Sequence, residues 1–315
     1  MERVVEKYFS FLEERGFRGR VVSIEHLHDL RDEIDGRYTQ GAFDEEFYQE
    51  ALSFFSFHPP DNLPLAASII VVAVPRPQTK LSFTWDGDTL ALTLPPTYMR
   101  YWETDKQVVT LSTEWLASRG YHTASANLPK KLLAVCSGLA EYGRNNITYI
   151  PGMGSFHQVI AFYSDVPCQE DEWREPRMMD RCKDCRVCLT KCPTGAIMSK
   201  RFLIRAERCL VFHNERSLDH PFPRWIDPAS HNCLIGCMLC QQSCPENKDF
   251  LEWFEGNETF SHEETTLFLK GASADLLPAA TQAKLKRLGM PDLLEVLPRN
   301  LGVFLDNQAR SSESI

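Results

Sequence analysis

The sequence is poor in the features that mark membrane and nucleic-acid-binding proteins. It has no apolar run near the ~20 residues of a membrane-spanning helix, and residues 1–5 show neither a signal peptide's apolar region nor a twin-arginine pair. Basic residues are outnumbered by acidic ones, 34 against 43, for a net charge of −9. That balance argues against a broad nucleic-acid-binding face. We therefore expect a cytoplasmic protein with no membrane association.

Nucleotide-binding loops are missing as well. The chain has no phosphate-binding Gly-Lys-Ser/Thr loop, and no G-x-G-x-x-G follows a predicted strand. Its 315 residues, 43% hydrophobic and 24% charged, are ordinary for a soluble globular protein. This length allows one large domain or two ordinary ones.

Cysteine, by contrast, is abundant, and nine of the eleven cysteines lie within residues 181–245. The first run reads Cys182-x2-Cys185-x2-Cys188-x3-Cys192-Pro193, which is the spacing of bacterial iron–sulfur proteins. The second run reads Cys237-x2-Cys240-x3-Cys244-Pro245, with Leu234 where a first cysteine is expected. Two 4Fe–4S clusters need eight thiolates, and the runs supply seven. The eighth is Cys209 or Cys233.

Two-cluster ferredoxins exchange the fourth cysteine of each run between the clusters. On that pattern, one cluster takes Cys182, Cys185, Cys188 and Cys244. The other takes Cys192, Cys237, Cys240 and the eighth thiolate. A disulfide framework is typical of short secreted chains, and zinc sites use paired C-x2-C knuckles, so neither alternative fits. Cys136 and Cys168 lie outside the stretch and are expected to be buried thiols.

Hydrophobic patterning predicts strands and helices that interleave up to about residue 165. Residues 2–15 are expected to form an amphipathic helix and 66–74, rich in β-branched residues, a strand buried on both faces. A hairpin is predicted around Asp86-Gly87-Asp88. After the cysteines, the pattern indicates helices near 262–270, 279–288 and 291–307.

A second informative stretch is the glycine-containing loop at residues 138–155. Its glycines permit close approach of the backbone to a large ligand, although turn chemistry between a helix and two strands explains them equally well.

Taken together, these motifs resemble the epoxyqueuosine reductase family, with more distant kinship to reductive dehalogenases. The matching segments are Ser137-Gly-Leu-Ala140 with Gly143, Gly154-Ser-Phe156, Cys192-Pro-Thr-Gly-Ala-Ile197, Arg208-Cys209 and Gly236-Cys237. The resemblance implies an α+β protein with a nitroreductase-like cobalamin-binding α/β domain, a two-cluster ferredoxin-like domain and a C-terminal helical cap. We expect these domains at 1–170, 175–250 and 251–315.

The resemblance also assigns roles to individual residues. It favours Cys209 as the eighth ligand and implies that cobalamin contacts the loop. The expected contacts are Gly138, Tyr142, Gly143, Arg144, Asn145, Gly152, Gly154 and Ser155. The family's proton-donating Asp falls on Ala124, which has no proton to give. Tyr98, Tyr101 and Arg144 are the candidates to replace it.

The functional expectation is an iron–sulfur reductase. A ferredoxin or flavodoxin would supply electrons, which would pass through two 4Fe–4S clusters to cobalamin. The substrate is tRNA epoxyqueuosine on the family's pattern, or a small molecule, as Ala124 and the acidic charge suggest. The alternatives are an electron-transfer protein without a substrate pocket and a reductase that activates a partner corrinoid protein.

Overall fold

The computed structural model describes residues 4–168 and 171–313. The first residues of the helix expected at 2–15 and part of the acidic linker after Cys168 lie outside the described residues. The helices of the described part are α1 (Val4–Glu13), α2 (Leu27–Thr39), α3 (Glu45–Ala51), α4 (Tyr101–Ala117), α5 (Lys130–Cys136), α6 (Val187–Lys191), α7 (Leu210–Glu215), α8 (Leu239–Gln242), α9 (His262–Leu269), α10 (Ala279–Leu288) and α11 (Leu297–Glu313). Its strands are β1 (Arg18–Ser23), β2 (Ser68–Pro75), β3 (Gln78–Trp85), β4 (Asp88–Leu94), β5 (Thr123–Ser125), β6 (Glu141–Tyr142), β7 (Thr148–Tyr149), β8 (His157–Ser164) and β9 (Phe254–Phe260).

The central sheet has four strands in the order β1-β2-β8-β5, each antiparallel to its neighbour. Strand β2 is buried along almost its whole length, as its β-branched sequence predicts. Because successive side chains point to opposite faces, Ile70 and Val72 pack in one core with α1 and α4, whereas Ile69 and Val71 pack in another with α2 and α5. The sheet therefore lies between two helical layers.

A second sheet combines strands from the N-terminal and C-terminal halves of the chain. The predicted hairpin forms β3 and β4, and β9 pairs with β3 in parallel. Phe83 of β3 stacks on Phe260 of β9, with ring centroids 5.1 Å apart. The expectation of an entirely helical C-terminal segment missed β9, whose sequence FEGNETF lacks a continuous apolar run. Helices α9, α10 and α11 pack against this sheet and form the predicted cap.

The cysteine-rich segment lies between these two cores and contains only short helices. Three-residue 3₁₀ turns precede or follow several cysteines, at Asp180–Cys182, Ala206–Arg208 and Pro245–Asn247. Such turns bring neighbouring cysteines to one side of the backbone, as a compact inorganic group requires. Within the described residues, no helix combines the length and apolar character needed to cross a membrane.

Candidate functional site

The structure separates eight cysteines into two groups. A small cavity is lined by Cys182, Cys185, Cys188 and Cys244. A larger cavity of about 390 Å³ is lined by Cys192, Cys209, Cys237 and Cys240. This is the grouping that the exchanged-ligand pattern predicts, although the binding of each iron by a particular cysteine stays a prediction.

The geometry of these cysteines differs from that of a single-metal site. Among the residues that the structure describes, no three His, Cys, Asp or Glu side chains are placed to hold one metal ion. In a 4Fe–4S cube each thiolate binds a different iron, so its sulfurs lie further apart than the four donors around one zinc ion. Burial also raises the pKa of the thiols, to about 11 for Cys188 and about 12 for Cys209. Cationic iron would compensate for the charge of the thiolates.

Cys233 lies outside both cavities. Its side chain is buried against Phe156 and Met238, and its sulfur donates to Oδ1 of Asn232 across 3.3 Å. Asn232 in turn donates to the sulfur of Cys237 across 3.1 Å. The position of Cys209 on the cavity wall favours Cys209 as the eighth ligand, as the resemblance implies.

Most of the predicted cobalamin contacts are directed away from the large cavity. Gly138 lies beside Arg174, Tyr142 packs its ring on Phe202, and Gly152 has no neighbour within 4 Å of an added Cβ. Gly154 is packed against Asn247 and Phe250. Of the predicted loop residues, those that line the large cavity are Asn145 and Ser155.

Gly143 and Arg144 line the small cavity instead. A Cβ on Gly143 would come within 2.5 Å of Oδ1 of Asn145 and 2.6 Å of Cε2 of Tyr149. A larger side chain there would therefore disturb the first group of cysteines. Arg144 donates to the backbone carbonyls of Cys182, Lys183 and Cys185, and it secures the first run.

Both tyrosine candidates line the large cavity, each beside a charged partner. Nζ of Lys130 lies 3.2 Å from the hydroxyl of Tyr101 and 2.7 Å from Oδ2 of Asp105. On another wall, the hydroxyl of Tyr98 donates to Oε1 of Glu215. The cavity wall thus contains two separate hydrogen-bonded pairs that could donate a proton, Tyr101 with Lys130 and Tyr98 with Glu215.

Glu215 is a site residue that sequence reasoning missed. It ends α7, the helix that begins after Cys209, so the fold around the eighth cysteine places it in the cavity. Burial raises the pKa of Glu215, while the hydrogen bond from Tyr98 and the charge of Lys131 act in the opposite direction. Its side chain nevertheless has free surface, because it faces the cavity. No local sequence pattern marks this glutamate.

His157 and Gln158 form part of the same wall, at the start of β8. Nε2 of His157 lies 3.0 Å from the hydroxyl of Thr148, and Nδ1 lies 3.1 Å from the carbonyl oxygen of Gly154. Burial lowers the pKa of His157 to about 4, so the ring is neutral. Gln158 uses its amide nitrogen on Asp105, but in the described part of the chain its Oε1 has no hydrogen-bond partner.

Ala124 is buried in β5 opposite Tyr163 and packs in the core of the sheet. It does not line the large cavity. Position 124 therefore contributes no polar group to the site.

The comparisons with known proteins bear on both halves of the site. Residues 181–247 match the family described as "4Fe-4S double cluster binding domain". Two 4Fe–4S clusters are therefore confirmed as the metal content of this segment. The match begins just before Cys182 and ends just after Cys244, so it includes both cysteine runs.

Curated relatives match part of the chain. The chain is 28% identical over 148 residues to the epoxyqueuosine reductase of Atelocyanobacterium thalassa, an alignment of 46% of this chain and 47% of that protein. It is 31% identical over 124 residues to the epoxyqueuosine reductase of Escherichia coli, which covers 39% of this chain and 31% of that protein. These alignments span half or less of the relatives' length.

Solved structures share the fold over nearly the whole chain. The epoxyqueuosine reductase of Streptococcus thermophilus superimposes with a TM-score of 0.65 at 17% identity, covering 95% of this chain and 80% of that one. That of Bacillus subtilis, determined with its catalytic Asp loop swung out of the active site, gives 0.53 at 20% identity over 88% and 81%. The α+β fold with a helical C-terminus is confirmed.

The fold and the paired cysteine groups define an iron–sulfur protein of the two-cluster type joined to an α+β domain. Within that class, the chain is a relative of the epoxyqueuosine reductases, as its sequence indicates.

Proposed function

We propose that this protein is an iron–sulfur reductase that delivers electrons through its two clusters to a reaction in the 390 Å³ cavity. The observation that carries the proposal is the composition of the cavity wall. Cysteines of the second group lie there together with Tyr98, Tyr101 and Glu215. A reductase needs an electron source and a proton source at one place, and this wall contains candidates for both.

The residues in the cavity fit a corrinoid. The volume of the cavity lies within the range of small-molecule sites. This volume is enough for part of a corrin macrocycle. Oε1 of Gln158 is a buried acceptor with no partner among the residues that the structure describes, and the amide groups around a corrin ring are donors of the kind it lacks. Both nitrogens of His157 are already hydrogen-bonded, so a corrinoid would bind without a histidine ligand from this wall.

A corrinoid bound there would supply a low-valent cobalt nucleophile, and residues of the chain would position it and provide the proton. Asn145 and Ser155 belong to the wall against which its edge would lie. Glu215, whose pKa is raised by desolvation, would donate to the substrate in its protonated form, and Tyr98 would orient it through the hydrogen bond to Oε1. This pair would take the place of the carboxylate missing at Ala124.

Electrons would enter at the first cluster. Cys188 follows Val187, a hydrophobic residue that is 38% exposed, so this cluster lies close to the outer surface. A ferredoxin or flavodoxin is the proposed donor. The alternatives of an electron carrier and of a reductase that activates a partner corrinoid protein need only the clusters, and neither explains the acid groups in the cavity.

Two substrate classes are candidates. The names of the relatives support epoxyqueuosine in tRNA, and one relative was solved with an epoxyqueuosine-modified tRNA stem loop. A small-molecule substrate is favoured by Ala124, which has no proton to donate, and by C-terminal basic residues that are already engaged within the chain and so are not free to bind phosphates. Lys284 is paired with Glu264 and Arg287 with Glu258, and Arg299 donates to four backbone carbonyls. Anaerobic turnover of epoxyqueuosine-containing tRNA, with cobalamin and a reduced donor, separates the two classes.

A further inference from the structure

One residue of the loop at 138–155 reaches both cysteine groups. Asn145 lines the large cavity with Cys240 and the small cavity with Cys244. Its side chain is buried, and Oδ1 is used locally to accept the backbone N–H of Ile147 across 3.2 Å. Its Nδ2 group, with two hydrogens, is left to serve two acceptors.

One hydrogen of Nδ2 is directed at Tyr149, and the other is available to a second acceptor. Nδ2 of Asn145 lies 3.0 Å from the hydroxyl oxygen of Tyr149. A candidate acceptor for the second hydrogen is Cys240, which lines the large cavity together with Asn145. The hydroxyl of Tyr149 accepts from Asn145 and keeps its own hydrogen to donate, and Tyr149 lines the small cavity together with Cys244.

Asn145 and Tyr149 are therefore hydrogen-bonded to each other at a position between Cys240 of the large cavity and Cys244 of the small cavity. Tyr149 is buried and packs against Met179 and Cys182, so its hydroxyl is shielded from water. Gly143 leaves the space that the pair occupies, because a Cβ there would meet both side chains. The absence of a side chain at 143 thus has a reason in the site itself.

We propose that Asn145 donates to the sulfur of Cys240 and Tyr149 to the sulfur of Cys244, so that the pair forms a bridge between the two cluster sites and raises the reduction potentials of both clusters. The inference rests on the proposed function only in treating the clusters as an electron path. Reduction adds negative charge to a cluster and its thiolates. A hydrogen-bond donor directed at a ligand sulfur stabilises that charge, and such bonds are among the protein's means of setting cluster potentials.

The test is a potentiometric titration monitored by electron paramagnetic resonance, on anaerobic protein without corrinoid or substrate. Tyr149→Phe should lower the midpoint potential of the first cluster, which Cys244 is expected to bind. Asn145→Ala should lower that of the second cluster, which Cys240 is expected to bind. The iron content of both variants should be unchanged. Tyr142→Phe is the matched control, since Tyr142 is a partly buried tyrosine of the neighbouring strand whose ring packs on Phe202. It should leave both potentials at their wild-type values.

Unchanged potentials in Tyr149→Phe protein that keeps its iron would overturn the bridge and leave the proposed reductase untouched. If the variants lose iron, a measurement on the wild-type protein tests the bridge instead. After exchange into heavy water, electron–nuclear double resonance should show an exchangeable hydrogen strongly coupled to a reduced cluster. Its absence would also overturn the bridge. Failure to bind a corrinoid would count against the proposed function alone, because the titration uses none.

Discussion

Nε of Arg144 donates to the carbonyl oxygen of Cys185 across 3.0 Å, which ties the β6–β7 loop to the first cysteine run. Two further bonds from the same guanidinium reach the carbonyls of Cys182 and Lys183. The loop expected to hold a cofactor edge therefore also fixes the backbone around the first cluster.

Arg144→Lys should lose the first cluster and retain the second. A lysine ammonium is a point charge and cannot reproduce a planar fork directed at three carbonyls. Iron should fall from about eight to about four per chain, on the count of two four-iron clusters. Arg177→Lys is the control, because Arg177 is 61% exposed and pairs only with Glu141 among the contacts described. Full iron in Arg144→Lys protein would show that the three bonds are dispensable.

Cys209→Ala should lose the second cluster, whereas Cys233→Ala should keep both. The reason is the position of Cys209 on the cavity wall and of Cys233 in an apolar core. Iron analysis with an absorption spectrum measures the outcome. The opposite result, with iron lost only from Cys233→Ala, would reverse the assignment of the eighth ligand.

Glu215→Gln should lower the reductase rate by about 10²- to 10⁴-fold, the usual contribution of a general acid. In the wild type the rate should fall as pH rises through the elevated pKa of Glu215, because the proton is then lost. Tyr98→Phe removes a hydrogen bond that lowers this pKa, so the fall should move to higher pH. The measurement is the pH profile of turnover.

Glu207→Gln serves as the carboxylate control for that profile. Glu207 lies on the same segment but pairs with Arg205 across 2.7 Å and does not line the cavity. It should keep the wild-type rate and profile. An unchanged profile in Glu215→Gln would eliminate Glu215 as the proton donor and leave Tyr101 with Lys130.

The protein should not be retained on immobilised tRNA at physiological salt and should convert little tRNA epoxyqueuosine. A phosphate-binding surface needs unpaired basic residues, and three of the C-terminal ones, Lys284, Arg287 and Arg299, are engaged within the chain. Expression in a strain lacking its own epoxyqueuosine reductase tests this in cells. Restored queuosine would establish tRNA as the substrate.

Much of the architecture could be predicted from local patterns. The run of β-branched residues at 66–74 and the Asp86-Gly87-Asp88 turn depend on neighbours in sequence, and both formed as expected. Strand β9 could not be predicted, because its stability comes from pairing with β3, more than 170 residues away, as in the contact of Gln78 with Phe254. Tertiary pairing, not local sequence, determines such a strand.

The candidate site likewise has features that depend on local sequence and features that depend on tertiary packing. Cysteine spacing is local, and it grouped the cysteines as the structure does. Glu215 and Gln158 become site residues only because α7 and β8 meet at the cavity. The loop at 138–155 was associated with a cofactor edge, but Arg144 and Gly143 face the first cysteine group, since backbone flexibility alone does not specify what a loop contacts.

The most direct test of the account is the absorption spectrum of anaerobic, iron-loaded protein titrated with cobalamin. We predict binding with the lower ligand displaced and no histidine in its place, because His157 is engaged at both nitrogens. A base-off spectrum that saturates at one cobalamin per chain would support a corrinoid-dependent reductase. No spectral change at tens of micromolar cobalamin, a binding free energy weaker than about −6 kcal/mol, would contradict the account and favour an electron carrier.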